Sequence, residues 1–320
     1  MLDLAAANLL SPMILFFVLG LVAALLRVDL TFPEAIAKGL AIFLIVSIGF
    51  KGGVGVAAHG LDVTLVSALL AGAVLSAGLP VIAFFLLRRT TGLPPIEAAA
   101  VAAHYGSISI VTFVAASQAL SNLGIAFEGY MVAVAAVMEA PAIITALLLL
   151  RGTERGDGGG NADWREIALN SSIVLLVGAF VIGVVTGEAG LAMVAPLMVD
   201  PFQGVLCIFL LDMGLVAGRG LAENIKVLGP RVIAFGLYMP LVSAAIAAPI
   251  GALIGLSTGG IALLTTLSAS ASYIAVPAAM RLALPEARPS IYLTLSLGVT
   301  FPFNLAIGVP LYIALAEALS

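Results

Sequence analysis

Charged residues are scarce in this chain of 320 residues, since lysine, arginine, aspartate and glutamate together make up only 9% of it. Apolar residues make up 62%, and the mean hydropathy is +1.23. No soluble core buries that much apolar surface, so the composition excludes an ordinary soluble domain. It also gives no basic stripe of the kind that attracts nucleic acid, and no nucleic-acid partner is expected. The chain is predicted to be an integral membrane protein with lipid around it.

Cysteine and catalytic motifs are equally rare. The single cysteine, Cys207, excludes an internal disulfide and a cysteine metal cluster, and its apolar surroundings favour a small buried side chain. The glycine-rich stretch 156–160 lacks the preceding strand and the following Lys-Ser or Lys-Thr of a phosphate-binding loop. The N-terminal residues carry an acid and no basic region, so no cleaved signal peptide is predicted. No enzyme chemistry and no cofactor is indicated.

What the chain does contain is a series of apolar runs, each long enough to cross about 30 Å of hydrocarbon as a helix. They predict an all-α integral membrane fold of ten transmembrane helices. A hydrophilic, glycine-rich stretch at 151–167 separates a first five-helix unit, 1–150, from a second, 168–320. The predicted spans lie near residues 12–30, 34–57, 63–88, 93–120, 128–150, 169–187, 201–222, 228–255, 258–284 and 288–318.

The basic residues agree with ten spans, because cytoplasmic loops carry an excess of lysine and arginine. With this topology only Lys51 falls toward the outer face. The protein is expected in the bacterial inner membrane, with both termini outside the cytoplasm. The 151–167 linker is then cytoplasmic. The remaining twelve basic residues fall at the cytoplasmic face: Arg27, Lys38, Arg88, Arg89, Arg151, Arg155, Arg165, Arg219, Lys226, Arg231, Arg281 and Arg288.

The two units also repeat in sequence. The segment that starts at Gly39 aligns without gaps with the segment that starts at Gly204, and four glycines coincide. The segment around Pro141 likewise matches the segment around Pro302. Because each unit has five spans, the second copy enters the membrane from the opposite side. This predicts two inverted five-helix repeats, the plan of secondary transporters.

Two spans carry polar residues at their centres. Span four contains HYGSISIVT, residues 104–112, and span nine contains TTLSASASYIAVP, residues 265–277. Small hydroxyl residues with glycine or proline allow a helix to be interrupted inside the membrane. The N-H groups at such an interruption suit an anion and the carbonyl groups suit sodium. We predict that helices four and nine are discontinuous and that they bind the substrate; the alternative is that the small residues only allow close helix packing.

Ionisable residues within the spans are functional candidates, since a charge in the membrane is costly. Glu139 lies two residues before Pro141, and its repeat counterpart Thr300 lies two before Pro302 and close to Asn304. These three oxygens are predicted to bind a coupling ion. Asp212 is assigned either a coupling role or an ion pair with Lys51. His104 is interpreted as a structural histidine or as a group that binds anion or proton.

At this level of detail the chain resembles the cyanobacterial-type sodium-dependent bicarbonate transporter family over nearly its full length. The resemblance lies in the order and spacing of several segments rather than in one strict motif. Those segments are SIGFKGGVGV (47–56), YGSISIVT (105–112), MEAPAIITAL (138–147), SASASYIAVPAAMR (268–281) and LPEARPSIYL (284–293).

The resemblance implies sodium-coupled uptake of bicarbonate by a homotrimer, in which a core domain of spans three to five and eight to ten moves against a gate domain of spans one, two, six and seven. It implies that Glu139 matches the acid before the span-five proline. The linker is shorter than in cyanobacterial members, which argues against docking of their small signal-transduction-type regulatory protein. The implied substrate-binding residues are Gly106, Ser107, Ser109 and Thr112 in span four and Ser268, Ser270 and Ser272 in span nine.

The sequence therefore predicts a secondary active transporter for bicarbonate or another small monovalent anion, sodium-coupled and working by alternating access. The first alternative is a transporter that couples protons, through Glu139 or Asp212, to an organic acid. A channel or an intramembrane enzyme with two buried acids is a further alternative, although an inverted repeat does not explain the enzyme.

Overall fold

The structure is a computed structural model, and it describes residues 10, 12–59, 63–139, 141–153, 171–273, 276–277, 280 and 283–320. These residues form helices and turns, with no strand among them. The helices are α1 (Pro12–Leu25), α2 (Glu34–His59), α3 (Val63–Thr90), α4 (Pro95–Gly106), α5 (Ile110–Asn122), α6 (Met131–Val137), α7 (Pro141–Thr153), α8 (Ser171–Met198), α9 (Phe202–Leu253), α10 (Thr258–Ala269) and α11 (Pro289–Leu319).

Eight stretches of the described residues are long and apolar enough to cross a membrane, which makes the chain a multi-pass membrane protein. Two further apolar helices, α1 and α10, are shorter. The predicted total of ten spans and the division at 151–167 stay predictions; most of that linker lies outside the described residues. The eight stretches are Glu34–Ala58, Val63–Thr90, Pro95–Asn122, Met131–Leu149, Val177–Met198, Phe202–Ala222, Leu228–Leu253 and Pro289–Leu319.

Two glycines mark sharp bends inside long helices. Gly187 in α8 has φ 56°, and Gly229 in α9 has φ 67°, a conformation that glycine adopts without steric cost. The bend at Gly229 separates the predicted spans seven and eight. The predicted end of span six at residue 187 coincides with the bend at Gly187, where the backbone leaves the helical conformation, and a further helical segment follows it to Met198.

Helices α1 and the first part of α9 pack closely through glycine. A Cβ atom on Gly20 would lie 2.1 Å from the Leu211 carbonyl oxygen, and one on Gly214 would lie 2.1 Å from the Phe17 oxygen. Helices α2 and α8 pack in the same way, since a Cβ on Gly183 would lie 2.2 Å from the Phe50 oxygen. Small residues let helix backbones approach to this degree in membrane proteins. Each close pair therefore joins one helix of the first unit to one of the second.

The remaining helices surround α4 and α5, the most deeply buried of the candidate spans. In an apolar 18-residue part of Pro95–Asn122, 94% of the residues are buried, whereas the corresponding share in Val177–Met198 of α8 is only 11%. Helices α3 and α7 pack on α4, and α10 packs on α5. A span with no lipid-facing side can carry polar residues and an interrupted backbone, because protein rather than hydrocarbon surrounds it.

Candidate functional site

The first interruption separates α4 from α5. Helix α4 ends at Gly106, residues 107–109 are not helical, and α5 begins at Ile110. A Cβ at Gly106 would lie 2.1 Å from Cγ of Pro80 in α3, so no larger residue fits at this end. The Ser109 hydroxyl caps α5 by accepting hydrogen bonds from the Thr112 amide at 3.2 Å and from the Thr112 hydroxyl at 2.8 Å. The predicted discontinuity in span four is confirmed.

The second interruption follows α10. This helix ends at Ala269, and residues 270–273 are not helical. The Ser270 hydroxyl donates a hydrogen bond to the Leu267 carbonyl at 2.8 Å and so satisfies one of the last carbonyls of the helix. Span nine is therefore interrupted where its small polar residues occur, as predicted.

The two interruptions lie against each other. The Ser109 amide donates a hydrogen bond to the Ser270 hydroxyl at 2.8 Å, and the Ser272 amide donates one to the His104 carbonyl at 2.8 Å. Backbone groups that a continuous helix would satisfy internally are thus paired across the two spans. These two contacts bring the serine-rich centres of the two spans together.

Two buried hydroxyl groups near this crossing, those of Ser107 and Ser268, have no hydrogen-bond partner among the described residues. Both side chains are at most 2% exposed. A buried hydroxyl without a partner costs about 1–3 kcal/mol, which a ligand offering oxygen atoms would offset. Neither interruption, 107–109 nor 270–273, contains a charged residue. The arrangement can donate several neutral hydrogen bonds to a small anion.

His104 lies at the end of α4, fully buried beside the crossing. Its ring stacks on Tyr292 with centroids 4.6 Å apart, and its Nδ1 lies 2.6 Å from the Ala100 carbonyl oxygen. Because a carbonyl only accepts, Nδ1 carries the proton and Nε2 is an acceptor. Nε2 has no partner among the described residues. These contacts hold the ring in place, in agreement with the structural interpretation of His104.

Glu139 lies between α6 and α7, where residues 138–139 leave the helix before Pro141. It is 4% exposed, and its Oε2 atom has no hydrogen-bond partner among the described residues. The preceding carbonyl, of Met138, accepts a hydrogen bond from the Ser76 hydroxyl of α3 at 2.6 Å. The chain thus holds a carboxyl oxygen, Oε2 of Glu139, in a buried position with no donor among the described residues.

Thr300 and Asn304 lie on α11, in two π-helical turns at Ser296–Thr300 and Asn304–Gly308. Each turn comes just before a proline, Pro302 or Pro310, whose missing N-H disturbs the ordinary helical pattern. Both residues are fully buried and hydrogen-bonded to other helices. In the described part of the chain no hydrogen bond joins either of them to Glu139. The three residues predicted to bind one ion are therefore not linked by hydrogen bonds.

Asp212 lies in the first part of α9 and is 7% exposed. Among the described residues no ion pair joins Asp212 to Lys51, so the suggested pair is not formed; the charged side chain that interacts with Asp212 is Arg219. Lys51 instead places its ammonium group 5.9 Å from the centroid of the Phe202 ring. A long side chain near a membrane boundary can reach water in this way while its stem covers apolar surface.

Two tyrosines that the sequence did not single out take part in the site. Tyr105 donates to the Thr300 hydroxyl, and Tyr312 donates to the Asn304 side-chain oxygen. Both rings are fully buried. A tyrosine inside an apolar span is the sequence signal that would have indicated them, since a buried tyrosine hydroxyl needs a hydrogen-bond partner.

Interrupted helices that cross inside a bundle of apolar helices, with unpaired hydroxyls at the crossing, define a membrane transporter. The family model of the Na+-dependent bicarbonate transporter superfamily matches residues 12–317, and the chain belongs to that superfamily. This confirms the predicted family and the predicted transporter class, and it argues against the enzyme alternative. No curated protein matches the chain.

Proposed function

We propose that this protein is a sodium-coupled transporter that takes up bicarbonate, or a similar small monovalent anion, by alternating access across a bacterial inner membrane. The observation that carries the proposal is the contact between the two interruptions, where the Ser109 amide meets the Ser270 hydroxyl. The membership of the superfamily supports the same substrate and ion.

The substrate is proposed to bind at this crossing. The unpaired hydroxyls of Ser107 and Ser268 are neutral donors for its oxygens. The N-terminus of α5 adds amide groups and the positive end of the helix dipole. Neutral donors favour an anion without holding it as tightly as an arginine would, which suits a site that must release its ligand. Gly106, Ser109, Thr112, Ser270 and Ser272 shape the same site.

The coupling ion is proposed to be sodium, with Glu139 as its charged ligand. A buried carboxyl group without a hydrogen-bond donor requires either a bound cation or a proton. This observation also supports the second candidate, a transporter that couples protons to an organic acid through Glu139. Asp212, Thr300 and Asn304 remain proposed contributors to ion coupling.

The proposed architecture is a pair of inverted five-helix repeats. Its support is the packing of helices across the two units. Helix α1 of the first unit packs on α9 of the second, and α2 of the first packs on α8 of the second, through glycine in both cases. In a two-fold arrangement these two pairs are copies of each other. We assign them to the gate domain, and α3 to α7 with the second part of α9, α10 and α11 to the core domain. The assembly is proposed to be a homotrimer.

The proposed orientation places both termini outside the cytoplasm. Its support is the distribution of lysine and arginine, which favours the cytoplasmic side. Two contacts agree with the underlying order of spans, because they join residues that this topology puts at one face. Arg219, near the end of span seven, donates to the carbonyl oxygen of Leu30 after α1. Arg288, before α11, forms an ion pair with Glu97 at the start of α4, with 2.7 Å between Nε and Oε1.

The proposal is tested by the thermal stability of the purified protein in sodium or choline buffers with and without bicarbonate. Ligand that binds only the folded protein raises the Tm, and we expect bicarbonate to do so in sodium and not in choline. Ser107→Ala and Ser268→Ala should raise the bicarbonate concentration needed roughly 10- to 150-fold, since each removes a hydrogen bond to a charged ligand.

The matched control is Ser243→Ala in the second part of α9. Ser243 is also buried without a partner, but it lies outside the interruptions, so its loss should leave the bicarbonate response unchanged. Equal responses to bicarbonate in sodium and choline would contradict sodium coupling. A response that Ser243→Ala weakens as much as Ser107→Ala does would contradict the placement of the anion.

A further inference from the structure

Helix α11 contributes two polar side chains, one helical turn apart, and each is bonded to the end of a different interrupted helix. Thr300 contacts Tyr105, the residue before Gly106 at the end of α4. Asn304 contacts Ala269, the last residue of α10. One helix therefore touches both ends that meet at the crossing.

The Thr300 hydroxyl has two hydrogen-bond partners, one of which takes its only proton. The Thr300 hydroxyl donates to the Gly236 carbonyl in the second part of α9 at 2.8 Å. A threonine hydroxyl has one proton, so the 2.5 Å contact with Tyr105 must be a hydrogen bond that Tyr105 donates. A Cβ on Gly236 would lie 3.3 Å from the Thr300 oxygen, so a small residue at this position eases the approach. Thr300 thereby ties α4 to α9 through α11.

The Asn304 contact is held in a similar way by a tyrosine. The Asn304 amide nitrogen donates to the Ala269 carbonyl at 2.9 Å, while the Tyr312 hydroxyl donates to the Asn304 oxygen at 2.7 Å. Tyr312 thus fixes which way the amide faces, because the oxygen must face the hydroxyl and the nitrogen the carbonyl. Asn304, Tyr312 and Thr300 are all fully buried.

Gly308 makes room for this bond. A Cβ there would lie 2.6 Å from the Asn304 oxygen and 2.9 Å from the Tyr312 oxygen. Asn304 and Gly308 are the first and last residues of one π-helical turn. Such turns re-aim side chains and are frequent at functional sites.

We infer that α11 positions the two helix ends that form the anion site. Two positioning pairs, Thr300 with Tyr105 and Asn304 with Tyr312, fix the end of α4 relative to the end of α10. The Ala269 carbonyl would otherwise be an unpaired acceptor beside the crossing. With that carbonyl bonded to Asn304, the Ser270 hydroxyl stays in reach of the Ser109 amide. The inference rests on the proposed function, because it assigns these pairs to the same anion site.

The positioning is measured directly by disulfide formation between Ser109→Cys and Ser270→Cys in a Cys207→Ser background. The Ser109 amide lies 2.8 Å from the Ser270 hydroxyl, so the main chain at one position is close to the side chain at the other, and a disulfide between the two positions is within reach. Adding Tyr312→Phe, which keeps the ring and removes only the hydroxyl, should slow disulfide formation roughly 2- to 13-fold, the effect of one net hydrogen bond. Asn304→Ala should slow it at least as much.

The matched control is Tyr238→Phe, which also removes one bonded tyrosine hydroxyl, the partner of Thr90 at 3.0 Å. Tyr238 lies outside both pairs, so its variant should form the disulfide at the parental rate. Parental rates in both Tyr312→Phe and Asn304→Ala would overturn the inference, as would equal slowing by Tyr238→Phe. Failure of the parental pair to form a disulfide would contradict the crossing itself.

A second readout separates positioning from simple stability. In proteoliposomes, Tyr312→Phe in the otherwise native chain should raise the KM for the anion by a similar 2- to 13-fold and leave the maximal rate within about twofold. A fall in maximal rate with unchanged KM would contradict a role at the binding site. If the native protein transports no anion, the proposed function fails, whereas the disulfide experiment still reports on the two positioning pairs.

Discussion

Glu139 offers the sharpest test of the coupling hypothesis, because one substitution separates a sodium ligand from a proton carrier. Glu139→Gln keeps the shape of the side chain and removes its charge. The residue is 4% exposed, and Oε2 has no hydrogen-bond partner to lose. The effect of the substitution on folding through lost protein contacts is therefore small, and the effect on a bound cation should dominate.

The expected magnitude follows from the loss of a charged ligand. Interactions of a charged group of this kind contribute on the order of 1–3 kcal/mol, which corresponds to roughly 5- to 150-fold in affinity. If sodium binds Glu139, the apparent sodium affinity of the Gln variant should fall by that factor. The anion KM at saturating sodium should change much less, since among the described residues no hydrogen bond joins Glu139 to either interruption.

The assay is anion uptake by proteoliposomes as a function of sodium concentration at several fixed pH values. If Glu139 carries a proton instead, the Gln variant should lose the pH dependence and keep its sodium dependence. Glu317→Gln near the end of α11 is the control, because Glu317 is exposed and the same chemical change there should alter neither profile. Unchanged sodium and pH profiles in Glu139→Gln would remove Glu139 from coupling and direct attention to Asp212.

Two further predictions concern the gate helices and the topology. Gly214→Ala would place a Cβ 2.1 Å from the Phe17 carbonyl oxygen, so α1 must move by about 1.3 Å to reach an ordinary 3.4 Å contact. Overpacking of this kind costs about 1–3 kcal/mol, and the Tm should fall by several degrees. Gly178→Ala is the control, because open space surrounds Gly178 and the Tm should not fall. An Asn161→Cys label in a Cys207→Ser background should react with a membrane-impermeant maleimide only from the cytoplasmic side; reaction from outside alone would reverse the orientation.

The sequence predicted the interrupted helices because their cause is local. Small hydroxyl residues at 107–109 and 268–272 leave the backbone free to depart from a helix, and the structure has both interruptions. Hydropathy likewise predicted most of the helices. It could not predict the further helical segment that follows Gly187 to Met198, since glycine permits both a turn and a sharp bend between two helices.

The partners of individual polar residues could not be predicted, because they depend on how helices distant in sequence pack. Thr300 and Asn304 were grouped with Glu139 from their positions relative to prolines, yet their bonds run to Tyr105, Gly236, Tyr312 and Ala269. Pro302 and Pro310 mark where α11 departs from a regular helix, but they do not tell which helices its polar side chains meet. Lys51 and Asp212 are a similar case, since opposite charges in neighbouring spans do not establish a contact.

The measurement that tests the central claim most directly is accumulation of labelled bicarbonate in proteoliposomes containing the purified protein. An inward sodium gradient should drive uptake above the external concentration, with saturation, and collapse of the gradient by a sodium ionophore should release the excess. The same protein with choline in place of sodium should show no accumulation, whether or not a pH gradient is imposed. Accumulation driven by a proton gradient in the absence of sodium, or non-saturating equilibration without accumulation, would contradict the account.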